Sequence, residues 1–264
     1  MLKGAIHIHS RYSDGEFSLR ELREIYLSAG YSFACMTDHA EAFDAEKLQQ
    51  YIEECKALSD DRFCFIAGLE YECQNRLHIL GYGVAALLGT TDAQEVIRQI
   101  DGRGGVSVIA HPAATMFDWL ESFALLPQGL EVWNSKYDGR YAPRPETFRL
   151  LHRLQERKPT LRAFYGQDLH WRKQFRGLSN AVSCQTLGSE EILAALACGN
   201  YLGFKGDLQL PSSGNPPEPL LVHFASVHER SDRLRQLAKR VKELTDRLGV
   251  KMPAPLKAQL RRLF

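Results

Sequence analysis

Short apolar runs alternate along this chain with longer stretches in which apolar residues recur every three or four positions. The runs Gly4–His9, Tyr31–Thr37, Phe63–Leu69, Val106–Ala110, Gly129–Trp133, Thr160–Tyr165 and Ala181–Cys184 have the length and composition of strands. Leu77–Gly83 reads as a strand or a turn. Ser18–Ala29, Ala45–Leu58, Thr91–Ile100, Pro145–Glu156 and Glu190–Ala197 predict helices. The first of these carries its own punctuation, with Ser18 at the N-cap, Glu21 three residues on and Gly30 at the end. Strand followed by helix, repeated over roughly 200 residues, predicts an α/β fold of parallel strands joined by crossover helices. The pattern fits a barrel and an open doubly wound sheet equally.

The rhythm breaks at the turn-rich stretch Pro211–Pro219, which reads PSSGNPPEP. The expected organisation is a body over 1–208, a Pro-rich linker over 209–220 and a basic helical extension over 221–264. A helix is predicted over Glu229–Leu248, with Leu234, Leu237, Val241, Leu244 and Leu248 spaced by three and four. That stripe either covers the chain's own body or forms a dimer helix.

Charge sharpens this division. The 36 residues from Glu229 to Phe264 hold eleven Lys or Arg and four Asp or Glu, a surplus of seven. The remainder holds 22 basic and 28 acidic residues, so a basic tail follows a mildly acidic body. Such a tail can be a solvated face or can meet an anionic partner such as nucleic acid. No apolar run approaches the roughly 18 residues of a membrane helix, and no secretory segment is visible, so a cytoplasmic location without membrane contact is expected. The six cysteines form no C-x-x-C pair and are expected to be buried, reduced thiols.

The candidate chemistry lies in six of the nine histidines. His7-Ile8-His9 ends the first strand, and alternation along a strand would put both rings on one face. Asp14 follows in a Ser-Asp-Gly turn. Asp38-His39, Gly68-Leu69-Glu70, His111-Pro112 and Asp168-Leu169-His170 each follow an apolar run, and His78 opens another. In parallel α/β folds the carboxyl ends of strands form the active site, so these groups should converge. Six imidazoles and three carboxylates brought together require metal or an extensive hydrogen-bond network. Nitrogen and oxygen donors without thiolate suit Zn, Mn or Fe. Nine ligands exceed one ion and suit two or three, and three divalent ions against the three carboxylates leave a site of about +3 that attracts phosphate.

At these motifs the sequence resembles the PHP family, the polymerase and histidinol phosphatase superfamily of metal-dependent phosphoesterases. The likeness spans roughly residues 1–205 and carries His7-Ile-His9, Ser13-Asp14-Gly15, Thr37-Asp38-His39, Gly68-Leu-Glu70, His78-Ile-Leu-Gly81, His111-Pro112 and Asp168-Leu-His170. It implies a distorted seven-stranded (β/α)7 barrel with the C-terminal helical extension appended. It implies three metals: one on His7, His9, Glu70 and Asp168, one on Glu70, His78 and His111, and one on Asp14, His39 and His170. A hydroxide held on the metals of His7, His9, Glu70 and Asp168 would be the nucleophile. Gln167 stands where the family commonly has a small residue, and Glu72 rivals Glu70. Asp38 is expected behind the ligands, orienting a histidine. In the loop Trp133–Arg140, Lys136 and Arg140 are the candidates to bind substrate phosphate, with Arg11, Arg172 and Arg176 competing. His152, His223 and His228 are expected to be structural.

The expected activity is hydrolysis of a small-molecule phosphomonoester. An exonuclease or phosphodiesterase acting on nucleotides is the alternative of the same chemistry. A non-catalytic metal-binding module and a Lys-bridged amidohydrolase are the alternatives of other classes.

Overall fold

The computed structural model describes residues 1–139 and 142–247. It divides into two compact units, Met1–Pro216 and Pro217–Phe264. The first unit begins β1 (Leu2–Ile8), α1 (Leu19–Ser28), β2 (Phe33–Met36), β3 (Asp38–His39), α2 (Ala45–Ala57), β4 (Cys64–Ile66), β5 (Gly68–Glu72), β6 (His78–Tyr82) and α3 (Ala93–Gly102). It continues β7 (Val106–Ala110), α4 (Phe117–Glu121), β8 (Gly129–Asn134), α5 (Pro145–Gln155), β9 (Arg162–Gly166), β10 (Ser179–Val182), α6 (Ser189–Cys198), β11 (Tyr201–Lys205) and β12 (Leu208–Pro211). The second unit contains α7 (Glu218–Arg247).

Local chemistry sets these boundaries. Ser18 and Glu21 close a capping box at α1, and Leu19, Leu22 and Tyr26 form its buried stripe. Asp44 and Asp92 cap α2 and α3 through their side chains. Pro145 opens α5, where its missing N–H costs nothing.

The strands form two ladders, β12-β11-β10-β1-β2-β4 and β3-β5-β6-β7-β8-β9. Thr37 alone separates β2 from β3, and Ala67 alone separates β4 from β5. Beyond β9, Gln167 N–H donates to Ile6 O at 3.0 Å, Leu169 N–H to His7 O at 3.2 Å and His9 N–H to Leu169 O at 3.0 Å. These bonds join the second ladder back to β1. Counting β2–β3 and β4–β5 as interrupted strands, the path β1, β2–β3, β4–β5, β6, β7, β8, β9 has seven members. The order of these seven members is the one expected of the distorted seven-stranded barrel.

The strands are less uniformly parallel than the pattern suggests. β6 runs antiparallel to both β5 and β7. Only a short turn separates β5 from β6, too little for a crossover helix. His78 therefore lies at the start of its strand, opposite Glu72 at the end of β5, and reaches the same rim. β10, β11 and β12 form an antiparallel meander attached to β1. Its last two strands were not legible, because Gly203 and Gly206 interrupt a short apolar pattern. The stretch 209–220 thus contains most of β12 and the first turn of α7.

Helix α7 starts well before Glu229, and Leu234, Leu237 and Val241 on it are exposed. Leu248 and the tail beyond it lie outside the described residues. Among the described residues, no helix is long and apolar enough to cross a membrane. Cys35, Cys55, Cys64 and Cys73 are buried, whereas Cys184 is half-buried and Cys198 exposed, which corrects the expectation for those two.

The break at Ala67 depends on Gly68. A Cβ there would collide with the carbonyl oxygens of Gly81 and Met36, both backbone atoms that cannot swing aside. Gly68→Ala is expected to cost about 1–3 kcal/mol, the usual penalty for overpacking. A lowered urea midpoint with an unchanged slope checks this.

Candidate metal centre

Every one of the nine residues singled out from the sequence reaches one rim of the first unit. Glu70 is the hub. It is buried on β5, and its Oε2 lies 3.2 Å from His9 Nε2, 3.4 Å from His7 Nε2 and 3.6 Å from His39 Nδ1. Its Oε1 lies 2.7 Å from His78 Nδ1 and 3.2 Å from His111 Nε2. One carboxylate thus faces two sets of imidazoles, one with each oxygen. Glu72, the rival, is exposed on the same strand.

Asp168 is the second buried acid. Its Oδ1 is 3.1 Å from His170 Nδ1, 3.7 Å from His9 Nε2 and 3.9 Å from His7 Nε2. Asp14, half-exposed, closes the other end, 3.2 Å from His170 Nε2, 3.6 Å from His9 Nδ1 and 3.7 Å from His39 Nε2. Among the described residues, three sets of donor atoms gather, each within 4.8 Å of one another: His9, Asp14, His39 and His170; His7, His9 and Asp168; and His7, Glu70 and His111. The geometry shares His7 and His9 between sets, where the family resemblance implied one ion for both.

The donors fit metal ions on a second ground. Both ring nitrogens of His9 are buried and neither makes a hydrogen bond of good geometry. Such an orphan is costly unless something else binds it. Burial also pulls the His9 pKa down to about 4, outweighing Glu70, so the ring is neutral and ready to ligate near pH 7.

The strand ends are built for this. His7, His111 and Asp168 have positive φ of 62°, 26° and 51°. Non-glycine residues rarely adopt this backbone, and strain of about 1–3 kcal/mol each is characteristic of functional sites. His7 also sits where the β1–β2 register shifts, between Ile6 and Ile8. His9 lies just past the end of β1. The two rings, 5.3 Å apart, therefore meet through a bulge and not through plain strand alternation.

Sequence reasoning missed the supporting residue. Glu131, buried on β8, holds His7 Nδ1 at 2.8 Å through Oε1, and its Oε2 accepts from His111 N–H and Asn134 Nδ2, both at 2.9 Å. The His7–Glu131 contact leaves His7 Nε2 facing the metal side. Asn134 also donates to Asp168 Oδ2 at 3.0 Å. The signal was present as an acid inside the apolar run Gly129–Trp133. Asp38 acts differently from expectation. It accepts from the backbone and hydroxyl of both Ser10 and Ser13, so it fixes the turn that presents Asp14 and orients no histidine. Gln167 turns away from the site and is satisfied by Tyr26 OH and Leu178 O.

Lys136 enters the centre. Its Nζ lies 3.1 Å from Asp168 Oδ1 and 3.5 Å from both ring nitrogens of His170. The loop carrying it is braced, since Asn134 Oδ1 accepts from the backbone N–H of Lys136 and Tyr137. Asp138 completes the brace by accepting from Asn134 N–H at 2.9 Å. The competing arginines are engaged elsewhere: Arg11 with Glu16 O and Glu21, Arg176 with Ser135 O, and Arg172 over the Phe17 ring. Arg140 lies outside the described residues. His152 Nε2 donates to Gly214 O at 2.7 Å; His223 and His228 lie on α7.

A model of the PHP domain family matches residues 5–185. The chain belongs to the PHP domain family. Its structure is similar to a two-domain protein from Bacteroides vulgatus containing a predicted PHP-like metal-dependent phosphoesterase, with 16% identity and a TM-score of 0.59, over 85% of this chain and 69% of that one. It is also similar to PsfC from Pseudomonas syringae, with 15% identity and a TM-score of 0.54, over 87% of this chain and 98% of that one. These likenesses concern the fold. A stretch of 79 residues is 37% identical to the DNA polymerase/3'-5' exonuclease PolX of Bacillus subtilis, covering 27% of this chain. That match spans only 14% of the relative's length.

Burial lowers the pKa values of His7, His111 and His170, but neighbouring carboxylates outweigh it and hold all three above the ordinary value, His170 at about 9. His170 therefore carries its proton near pH 7, and His7 and His111 hold theirs more tightly than a free imidazole does, so ligation must displace protons. Titrating Mn²⁺ into metal-free protein at pH 7 is therefore expected to release protons, read as a dependence of the heat on buffer ionisation enthalpy. Glu131→Gln is expected to weaken metal binding about 10–100-fold, measured in the same titration, with the circular dichroism spectrum unchanged.

Proposed function

We propose that this PHP-family chain, a metal-dependent phosphoesterase, hydrolyses phosphomonoesters of small molecules. The observation that carries the reading is the convergence of eight candidate metal-ligating side chains around a ninth, buried Glu70, with one ammonium group, Lys136, against the same cluster. Divalent ions there lower the pKa of water and offset negative charge on phosphoryl oxygens. The nitrogen and oxygen donors suit two or three ions of Mn, Fe or Zn.

The remaining work falls to the protein. His7, held by Glu131, and Asp168, held by Asn134, keep their donor atoms fixed. Fixed donors avoid reorganisation when charge develops. Glu70 ties the His7–His9 side to the His78–His111 side through its two oxygens. Asp14 and His170 close the outer end. Lys136 supplies a cation at the edge of the cluster, where a phosphate dianion needs a partner that metals alone do not provide at every oxygen.

A second reading, cleavage of nucleotides from an oligonucleotide end, draws on the exonuclease name of the PolX relative and on the basic surplus after Glu229. A non-catalytic module fits poorly with a full set of ligands and strained backbone at three of them.

His9→Ala and Asp168→Ala are each expected to abolish hydrolysis of an aryl phosphate by Mn²⁺-loaded protein while the chain stays folded. Full activity in either would refute the assignment. Lys136→Ala is expected to lower kcat/KM by roughly 10–100-fold, in line with loss of a charged hydrogen bond to phosphate.

A further inference from the structure

A cleft of about 340 Å³ lies between the stretch that follows β10 and one face of α6, and two thiols line it, Cys184 and Cys198. Glu191, Ala194 and Cys198 are spaced by three and four along α6, so they share the helix face that forms one wall. Residues 183–186 form the other. Two hydrogen bonds fix the walls against each other, one on each side of the thiols. Ser183 N–H donates to Asn200 O at 2.8 Å, and Thr186 Oγ1 donates to Glu191 Oε1 at 2.6 Å. Cys184 lies between Ser183 and Thr186 on its wall, and Cys198 lies between Glu191 and Asn200 on the opposite one.

The ladder sets their separation. Val182 pairs with Tyr201, so Ser183 faces Asn200 and Cys184 comes opposite Gly199. Opposed Cα atoms in an antiparallel pair lie about 4.5–5.5 Å apart. Cys198 is the next residue, at the end of α6, where Gly199 turns the chain with a φ of 76°. A disulfide needs Cα atoms about 4.4–6.8 Å apart. A pair one position off direct opposition stands at that distance or a small rotation from it. Ala194 and Ala195 carry only methyl groups and leave the space between the walls open. Access is selective as well. Cys198 is exposed and Cys184 half-buried, whereas Cys35, Cys55, Cys64 and Cys73 are buried, so a dissolved oxidant reaches this pair and not the other four.

We propose that Cys184 and Cys198 are a peroxide-sensitive thiol pair that closes to a reversible disulfide across this cleft, pinning the end of α6 to the end of β10. Cys198, the exposed thiol, reacts first. Its sulfur attacks one oxygen of hydrogen peroxide, the O–O bond breaks, one water leaves and a sulfenic acid remains. The Cys184 sulfur then attacks that sulfur. The S–S bond forms, the S–O bond breaks, and the hydroxyl leaves as a second water with the Cys184 proton. Two thiols lose two electrons and two protons in all, and the peroxide is reduced to two waters. Burial and the Glu191 carboxylate raise the Cys184 pKa, which suits this thiol to the second step. The bond closes a loop that contains α6, and such a constraint stabilises the fold against unfolding. The cleft lies at the Leu2 end of β1, where Leu2 pairs with Val182, and the histidines His7 and His9 lie at the other end. Closure therefore leaves the metal centre in place.

The test uses the full, metal-free chain. It is treated with excess hydrogen peroxide, quenched with catalase, denatured, alkylated and digested for mass spectrometry. The expected product is a peptide joining Cys184 to Cys198, lighter by two hydrogens and lost after treatment with dithiothreitol. Two of the six thiols are expected to escape alkylation. The oxidised chain is expected to unfold at a higher urea concentration than the reduced chain, a shift that Cys184→Ser removes. In that variant Cys198 is expected to persist as a sulfenic acid that dimedone captures. Six alkylated thiols after peroxide overturn the proposal. So does a wild-type Cys198 carried on to sulfinic acid without a cross-link, and so does a disulfide between two chains in place of the internal one.

Discussion

One buried carboxylate organises this protein. Glu70 is removed from water at the centre of a ring of five imidazoles, with donor nitrogens of His7, His9, His39, His78 and His111 all within 3.6 Å of its oxygens. A charged group so placed must be compensated. Burial alone would push its pKa up, yet the surrounding histidines hold it well below the usual carboxylate range. Glu70 therefore remains an anion and attracts cations, whether protons on histidine or divalent metal. The other eight candidate ligands are arranged around that fixed negative point, and strand ends and loops deliver them to it from six separate stretches of chain.

The fold accepts local cost to achieve this convergence. His7, His111 and Asp168 occupy left-handed backbone, and β1 and β8 both carry register shifts beside site residues. Glu131 connects two of these distortions, since one oxygen holds the His7 ring and the other accepts from the backbone of His111. The same acid presses against Gly166, where any side chain would displace it. Rigid support of this kind keeps donor atoms in place without the metal having to gather them.

The sequence revealed the clustered side chains better than their scaffolding. His7, His9, Glu70, His111 and Asp168 were legible because polar groups at the ends of apolar runs have few structural reasons to be there. Capping at Ser18 and Glu21 was legible because it is local. The hairpin at β5–β6 was not, because a strand's direction depends on what lies across the sheet. Glu131 was hidden inside a run that otherwise reads as core, and its role depends on a histidine 124 positions away. Asp38 was misread because its adjacency to His39 suggested a partner, whereas its four donors come from Ser10 and Ser13. Spatial neighbours decide second contacts, and spacing along the chain does not report them.

Metal content tests the account most directly. The purified chain would be stripped with a chelator, reloaded with Mn²⁺ or Zn²⁺, freed of excess ion and analysed for bound metal per chain, alongside a Glu70→Gln variant. Two or three ions on the wild type, falling sharply in the variant, is the predicted result. A wild-type chain that retains no ion would contradict the claim that this cluster is a metal centre.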